Sequence, residues 1–285
     1  MTEAVSYSCW NLIPQHLDPT LVHIGSFPVR WYGLMYLAAF FTCYQVMWAA
    51  IQRDHMKITK EDLDKFASWL IAGILVGARL GYVLFYNLGY YIHHPLEAVL
   101  PFSFDPVFHF TGISGMSFHG GLIGSTLFGT YCILKNKWSY WEWNSLAFMA
   151  TPLGYTWGRM GNFINGELYG RVTDAPIGML FPMDKTQHLR HPSQLYEMTF
   201  EGLILFAILQ WLYRKPGFRP HMMALYLLGY GTFRFFIEFF REPDAQIGLN
   251  ALGLSRGQLL CMGMILAAVI LWLVRHRKLA KSGGL

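Results

Sequence analysis

The segment 158–171, GRMGNFINGELYGR, contains the residues best suited to chemistry. It places two arginines, two asparagines and a glutamate at the end of an otherwise apolar run. Ionisable side chains inside an apolar helix are costly, so such a cluster indicates a functional site. Arg159 is the hardest to explain by packing, because the arginines of this region have no evident acidic partners. A guanidinium is a rigid two-pronged donor, so the expected ligand is an anion, with phosphate favoured.

Polar residues also interrupt two other apolar runs. Arg234 and Glu238 are four residues apart on one predicted helix, a spacing that suits either a purely structural ion pair or a site. His119 opens the segment SFHGGLIG, where paired glycines allow the backbone to approach a neighbour closely. These positions are candidates for the same site as Arg159.

Composition indicates the class of protein. The chain has 285 residues, of which 54% are apolar and only 14% charged, and its mean hydropathy is +0.30. These values fit a polytopic membrane protein, predicted as a single domain of residues 1–285. The net charge of +5 lies in short clusters between apolar runs, so nucleic acid is not an expected partner. The four cysteines are isolated, and His188 and His191 lack acidic partners, so neither a metal nor a cofactor is expected.

Seven apolar runs have roughly the 20 residues needed to cross the hydrocarbon layer of a membrane. They are 31–51, 66–86, 118–134, 143–163, 193–213, 222–241 and 258–274. The connections on one side hold about twice as many lysines and arginines as those on the other, which predicts an outer N-terminus and a cytoplasmic C-terminus. The predicted fold class is an all-α integral membrane protein with a small extracytoplasmic cap at 164–192.

This topology brings the polar residues to one side of the predicted bundle. His119, Arg159 and Arg234 all fall in its outer half, although the orientation comes from loop charges alone. Arg79 also falls there and is expected to extend to the membrane interface. Glycines spaced four residues apart predict close helix packing. They are Gly73, Gly77 and Gly81, then Gly120 and Gly124, then Gly154 and Gly158.

Five segments together carry a resemblance to a known family. They are RWYGLMY at 30–36, SFHGGLIG at 117–124, GRMGNFINGELYGR at 158–171, RHPSQLYE at 190–197 and GYGTFRFFIEFFREPDAQ at 229–246. In this order they resemble the bacterial prolipoprotein diacylglyceryl transferases. The first thirty residues, loop 87–117 and the last helix carry little of the resemblance.

The resemblance implies transfer of the diacylglyceryl group from phosphatidylglycerol to the thiol of the lipobox cysteine of a prolipoprotein, with release of sn-glycerol 1-phosphate. The implied partners are phosphatidylglycerol, prolipoprotein signal peptides and the lipid bilayer, and no cofactor is implied. The implied location is the bacterial cytoplasmic (inner) membrane, with the active site towards the periplasmic face. Because the substrate supplies the thiol, no nucleophilic triad is expected.

The resemblance and the chemistry of the transfer imply roles for individual residues. His119 would accept the thiol proton, while Arg159 and Arg234 would stabilise the leaving phosphate. An arginine acting in place of His119 stays open as the group that activates the thiol. Glu238 is expected to orient Arg234. The implied substrate-binding residues are Tyr32, Tyr82, Arg159, Asn162, Glu167, Gly170, His191, Tyr230 and Glu238.

Two other classes of function would use the same arginines. A transporter of organic anions would line a cavity with them, but such transporters typically contain inverted repeats, which are not evident in this sequence. A non-catalytic lipid-binding scaffold would need the arginines without the His119 segment. An enzyme is therefore the favoured class.

Overall fold

The computed structural model describes residues 7–25, 27–100, 102–103, 108–110, 115–242 and 253–281. These residues are mostly helical and form two compact units. Unit 1 consists of Met1–Ala50 with Asn144–Leu285, and unit 2 consists of Ile51–Trp143. A compact unit is a cluster of contacts and not a domain shown to fold alone, so the single domain 1–285 stays a prediction.

The helices follow the apolar runs. In chain order they are α1 (Cys9–Leu12), α2 (Trp31–Arg53), α3 (Lys60–Tyr86), α4 (Leu88–His93), α5 (Phe118–Lys135), α6 (Tyr140–Ile164), α7 (Ser193–Glu197), α8 (Leu205–Tyr213), α9 (Met222–Ile237) and α10 (Arg256–Lys281). A π-helical segment, Met198–Ile204, joins α7 to α8, so that Ser193–Tyr213 is one continuous helical stretch. Short 3₁₀ turns occur at Ile13–His16, Pro95–Ala98 and Pro216–His221.

Two small antiparallel hairpins complete the described secondary structure. Strand β1 (Thr20–Ile24) pairs with β2 (Phe27–Arg30), and β3 (Phe102–Ser103) pairs with β4 (His109–Phe110). The first hairpin leads directly into α2 at Trp31, and the second belongs to unit 2. Residues 243–246, the end of one segment that carries the family resemblance, lie outside the described residues.

Four helical stretches among the described residues are long and apolar enough to cross a membrane. They are Trp31–Arg53, Lys60–Tyr86, Ser193–Tyr213 and Arg256–Lys281. Run 222–241 forms a shorter helix than predicted, since α9 has 16 residues and ends at Ile237. There the Phe240 amide donates to the Ile237 carbonyl (2.9 Å) in a tight turn. The count of seven spans stays a prediction.

Glycines bring α3 and α5 of unit 2 into direct backbone contact. A Cβ added to Gly77 would overlap the backbone of Gly120 and Gly124, and a Cβ added to Gly124 would overlap that of Gly73. A Cβ at Gly81 would likewise meet Gly120. The predicted packing of these five glycines is confirmed, and it explains why the His119 segment contains Gly120 and Gly124.

The third glycine pair is confirmed at only one position. A Cβ added to Gly154 on α6 would meet the Cys43 thiol of α2, where the Trp157 indole also donates to the Thr42 hydroxyl (3.1 Å). A Cβ added to Gly158 would meet nothing within 4 Å among the described residues. The prediction of close packing was therefore wrong for Gly158, because only Gly154 of the pair faces the neighbouring helix at close range.

Arg79 is bound by the connection that follows its own helix, and its extension to the membrane interface stays a prediction. Within unit 2 its guanidinium donates to the backbone carbonyls of Ala98 (2.8 Å), Glu97 (2.5 Å) and Gly115 (3.3 Å). It also lies over the Tyr91 ring, with the guanidinium carbon 5.1 Å from the ring centroid. Arg79 thus links the connection between α3 and α5 to α3. The loop carbonyls accept the hydrogen bonds that an arginine at the membrane interface would otherwise donate to water.

The connection between α6 and α7, residues 165–192, folds against the N-terminal segment of unit 1. The Asn11 amide side chain donates to the Gly178 carbonyl (2.6 Å), and the Leu180 backbone donates back to the Asn11 carbonyl (2.8 Å). Beneath them Phe163, Met179 and Phe181 form a buried apolar cluster. The loop therefore has its own core, as a cap would require, while its extracytoplasmic location stays a prediction.

A buried acid, Asp184, fixes the fold of this loop. Its carboxylate accepts hydrogen bonds from the Arg190 Nε (2.6 Å) and the Thr186 hydroxyl (2.8 Å), and Arg190 also lies over the Tyr169 ring. Burial alone would raise the pKa of Asp184, but the Arg190 and Thr186 hydrogen bonds outweigh it and lower the pKa to about 2. Asp184 is only 3% exposed, so its ionised form depends on the hydrogen bonds that Arg190 and Thr186 donate in the folded loop.

Asp184→Asn should destabilise the protein in a pH-dependent way. The folded pKa of about 2 lies below the ordinary aspartate value of about 3.9, so the carboxylate stabilises the fold above that value and the benefit is lost as the pH falls towards 2. At neutral pH we expect a loss of about 1.5–3 kcal/mol, the worth of hydrogen bonds to a charged group. Melting temperatures of both proteins between pH 3 and 7 test this, and a pH-independent difference would contradict it.

Candidate active site

The end of α6 is shaped by the NFINGE part of the polar segment. Gly166 has a φ of +68°, in the left-handed region that favours glycine, and its amide donates to the Phe163 carbonyl (3.0 Å). The Glu167 amide donates to the Asn162 carbonyl (3.1 Å), which turns the chain back on the helix. The Asn162 side-chain amide then donates to Glu167 Oε1 (2.9 Å). The two predicted substrate-binding residues therefore lie side by side.

Glu197, at the end of α7, is the centre of an arginine cluster. Its carboxylate is completely buried and is ion-paired with Arg159 from α6, Arg234 from α9 (3.2 Å) and Arg241 just beyond α9. The side chains of the three arginines keep 16–18% of their surface exposed. One inaccessible carboxylate thus holds three arginines whose side chains stay partly exposed.

Tyr155 links this carboxylate to a second acid. Its hydroxyl accepts a hydrogen bond from the Arg159 Nε (2.8 Å) and lies within hydrogen-bond distance of Glu197 (3.0 Å) and of Glu201. Glu201 is also completely buried, in the π-helical segment that follows α7. Tyr155 precedes Arg159 by one helical turn on α6, so both side chains contact Glu197.

Glu238 is the second ionic contact of Arg234. Its Oε2 lies 3.2 Å from Arg234 Nη2 and 3.6 Å from Arg241 Nε, while its Oε1 accepts from the Ser255 hydroxyl (3.0 Å). A Cβ at Gly257 would overlap the Glu238 carboxylate, so a larger residue where α10 begins would displace that carboxylate. Arg234 is thereby fixed between two carboxylates, which agrees with the expected orienting role of Glu238.

The remaining predicted residues of unit 1 surround this cluster. Asn162 Oδ1 accepts from Arg159 Nη1 (3.1 Å) and so connects the guanidinium to Glu167. The Tyr32 ring from α2 packs on Gly161, beside Asn162. The Tyr230 ring meets the Tyr155 ring edge to face, with centroids 5.6 Å apart. The Asn162 side chain and the rings of Tyr32 and Tyr230 thus lie around the arginine cluster.

Gly170 and His191 join the loop to the end of α9. The Gly170 amide donates to the His191 carbonyl (2.8 Å), and a Cβ at Gly170 would overlap the Phe240 carbonyl and His191. The His191 Nδ1 shares a hydrogen bond with the Tyr196 hydroxyl (3.0 Å), and burial lowers the pKa of His191. Close backbone approach explains the glycine, so contact of either residue with substrate stays a prediction.

The arrangement is suited to an oxyanion of phosphorus. Three guanidiniums present several N–H donors, and phosphate oxygens accept such donors in pairs. The donors are held by buried acids before any ligand arrives, as electrostatic catalysis requires. Within the described residues, no three His, Cys, Asp or Glu side chains gather as metal ligands would.

Comparison with known proteins agrees with this chemistry. The chain matches the family model described as prolipoprotein diacylglyceryl transferase over residues 19–274. The chain belongs to this family. Proteins named phosphatidylglycerol–prolipoprotein diacylglyceryl transferase include one from Chlorobaculum tepidum, 45% identical over 261 residues, which are 91% of this chain and 90% of that protein. Those from Bordetella avium and Geobacter sulfurreducens are each 43% identical, over 93% and 92% of this chain and 97% of either relative.

Membership of the diacylglyceryl transferase family confirms the resemblance drawn from the five segments. Together with the four apolar spans, it makes the chain a multi-pass membrane protein. The two predicted residues that lie outside unit 1 are His119 and Tyr82, both in unit 2. His119 is exposed at the start of α5, edge-on to the Phe118 ring (5.7 Å), and Tyr82 on α3 stacks on Tyr86 (5.8 Å).

The expectation that the arginines lack matching acids was wrong. Glu197 and Glu201 supply them from a third helix, where they interrupt the apolar run 193–213. An acid inside a predicted membrane span is itself a signal of function, and it could have identified both residues. Arg241 was the last residue of the predicted run 222–241, and its pairing with Glu197 depends on the tight turn after α9.

Glu197→Gln should destabilise the transferase strongly. It removes the buried charge that three guanidiniums share, and breaking a buried ion pair from one side typically costs about 3–5 kcal/mol. Thermal unfolding in detergent measures the loss. The matched control is Glu142→Gln, measured in the same way. Glu142 is exposed on α6, so this substitution should leave the melting temperature nearly unchanged. Equal effects of the two substitutions would contradict a central role for Glu197.

Proposed function

We propose that this chain transfers the diacylglyceryl group from phosphatidylglycerol to the thiol of the lipobox cysteine of a prolipoprotein, releasing sn-glycerol 1-phosphate. The observation that carries the proposal is the cluster of three arginines held by the buried Glu197 in a member of this family. The relatives' names specify both substrates, and the arginines match the phosphate that the lipid headgroup carries.

The electrostatic demand of this reaction falls on the leaving group. The thiolate sulfur attacks the glycerol carbon, a carbon–sulfur bond forms, and the carbon–oxygen bond to phosphate breaks. The phosphate changes from a monoanion towards a dianion as sulfur loses its charge. Arg159 and Arg234 would therefore bind the transition state more tightly than the substrate, because the charge they face grows during the reaction.

The fixed positions of the arginines support this role. Arg159 is held by Tyr155 and Asn162, and Arg234 by Glu197 and Glu238, so neither guanidinium has to reorganise when the charge develops. Asn162, Glu167 and Tyr32 surround Arg159 and would hydrogen-bond the glycerol of the headgroup. Tyr230 would close the site from the side of α9.

Activation of the thiol requires a base. A cysteine thiol has a pKa of about 8.5, so only a small fraction is thiolate at neutral pH. His119 is exposed and would accept the thiol proton, since imidazole is a base suited to that pH. An arginine of the cluster is the alternative activating group.

We also propose the orientation of the enzyme. Seven helices would cross the cytoplasmic (inner) membrane of a bacterium with the N-terminus outside, and the arginine cluster and the cap of residues 164–192 would face the periplasm. The excess of lysine and arginine in the opposite connections supports this orientation. Prolipoproteins would present their lipobox cysteine on that side, so the thiol would meet the lipid headgroup there.

The direct test is transfer to a synthetic lipobox peptide. Purified protein in vesicles of phosphatidylglycerol should add the mass of one diacylglyceryl group to the peptide, as read by mass spectrometry. A peptide with serine in place of the cysteine should stay unmodified, because its hydroxyl is a far weaker nucleophile.

Three results separate the alternatives. Equal labelling from phosphatidylethanolamine vesicles would contradict recognition of the phosphatidylglycerol headgroup. Lipid binding with no labelling would indicate a scaffold. His119→Gln should keep lipid binding and lose turnover, and unchanged turnover would assign thiol activation to another group.

Arg159→Lys should lower the rate of transfer by about 10²–10³-fold, as loss of one oxyanion donor does. An ammonium cannot donate in pairs to phosphate while also reaching Tyr155 and Asn162. The measurement is the initial rate of peptide labelling. Arg214→Lys is the matched control, since Arg214 is exposed at the end of α8 and should not affect the rate. Near-normal transfer by Arg159→Lys would contradict its role.

A further inference from the structure

Two buried acids of one helix share a single tyrosine hydroxyl. Glu197 Oε2 and Glu201 Oε2 both lie within hydrogen-bond distance of the Tyr155 hydroxyl, which also accepts from Arg159 Nε. A tyrosine hydroxyl has one proton to donate, and an ionised carboxylate can only accept. If both acids were ionised, one of these two contacts would have no proton between its oxygens. One of the two acids must therefore carry a proton.

The surroundings of the two acids identify which one. Glu197 pairs with three guanidiniums, which favour its ionised form. Glu201 is approached by one guanidinium within 4 Å in the described part of the chain, that of Arg234 at 3.9 Å. Its Oε1 is buried and has no hydrogen-bond partner among the described residues. An ionised carboxylate in that position would be poorly compensated and costly, so the proton belongs to Glu201.

We propose that Glu201 is a neutral carboxylic acid that donates to Tyr155 and thereby sets the charge of the arginine cluster. In this arrangement Glu201 and Arg159 donate to the Tyr155 oxygen, and the Tyr155 proton goes to Glu197. Every donor and acceptor of the tyrosine is then used. Glu201 touches no substrate and is a positioning residue. The proposal rests on the proposed function, in which the arginines bind the lipid phosphate.

The protonated state matters for anion binding. With Glu201 neutral, the ion pairs of Arg159, Arg234 and Arg241 are made by two carboxylates, those of Glu197 and Glu238. Ionisation of Glu201 would add a further negative charge beside Arg234 and weaken the attraction of these guanidiniums for the phosphodiester anion.

Proton loss from Glu201 would respond to groups on three helices besides its own. The titratable and charged groups that face it are Tyr155 and Arg159 on α6, Tyr226, Tyr230 and Arg234 on α9, Cys261 on α10, and Glu197. The arginines favour ionisation of Glu201, whereas Glu197 opposes it. Alkaline pH removes the proton and should weaken binding of phosphatidylglycerol.

The backbone brings Glu201 to its partner. Met198–Ile204 is π-helical, a rare geometry that is frequent at functional sites. A Cβ added to Gly202 would overlap the Thr156 side chain of α6, so the glycine lets this segment approach α6 next to Tyr155. The π-helical segment and Gly202 together place Glu201 against the Tyr155 hydroxyl, which already contacts Glu197.

The test compares Glu201→Gln with Glu201→Ala and with Glu197→Gln. The side-chain amide introduced by Glu201→Gln can donate to Tyr155 as the protonated acid does, but it cannot ionise. Glu201→Gln should keep kcat/KM at pH 7 within about threefold of the wild type. Glu201→Ala should lose at least about tenfold, equivalent to ~1.4 kcal/mol, and Glu197→Gln far more. The KM for phosphatidylglycerol should rise above neutral pH in the wild type and stay constant in Glu201→Gln. Ionisation of the peptide thiol affects both proteins equally.

A second measurement needs no activity. The infrared difference spectrum between the wild type and Glu201→Gln should contain the carbonyl band of one protonated carboxylic acid. Its absence would overturn the proposal, as would parallel pH profiles or a loss in Glu201→Gln as severe as in Glu197→Gln. Failure of the proposed function would look different, because the wild type itself would then not label the peptide. If Glu201→Ala does not fold, the spectrum and the Glu201→Gln profile decide.

Discussion

The attachment of three guanidiniums to the buried carboxylate of Glu197 is the interaction on which the rest of unit 1 depends. Arg159, Arg234 and Arg241 repel one another, and the buried carboxylate that all three contact offsets this repulsion. This requires the end of α6, the start of the helical stretch Ser193–Tyr213 and the end of α9 to meet. The left-handed turn at Gly166 and the close packing at Gly170 satisfy that requirement.

The same network is a poor source of stability and a good source of rigidity. Burying ion pairs costs solvation that their attraction only partly returns, and apolar side chains would pack the same space more favourably. What the network provides is a set of donors fixed before substrate arrives, which is what a growing phosphate charge needs. Glu238, held by Ser255 at the start of α10, extends this control to the far side of Arg234.

Local patterns predicted much of the fold. Apolar runs located the long helices, and glycine spacing predicted close packing of the helices now seen as α3 and α5, because both features depend on residues close in sequence. The same reasoning was insufficient where long-range contacts decide. Gly158 has the right spacing but no close neighbour among the described residues, and Arg79 binds loop carbonyls whose positions no periodicity encodes. The helical run 222–241 stops early, where Arg241 is drawn into the cluster.

Some residues of the candidate site could be predicted from local sequence, and others could not. Arg159, Asn162, Arg234 and Glu238 stood out as polar residues in apolar runs. Their acidic partner Glu197 also interrupts an apolar run, but its pairing with arginines of two other helices depends on contacts between segments that are distant in sequence. Ser255 and Gln258 exchange hydrogen bonds at the start of α10, and the bond from Ser255 to Glu238 depends on the approach of α10 to α9.

A structure of the enzyme with bound phosphatidylglycerol, determined in lipid nanodiscs, would show whether the arginine cluster binds the lipid phosphate. We expect the phosphate at about 2.7–2.9 Å from guanidinium nitrogens of both Arg159 and Arg234, with Glu197 still paired to them. A phosphate bound away from both guanidiniums, with the cluster unchanged, would contradict this expectation.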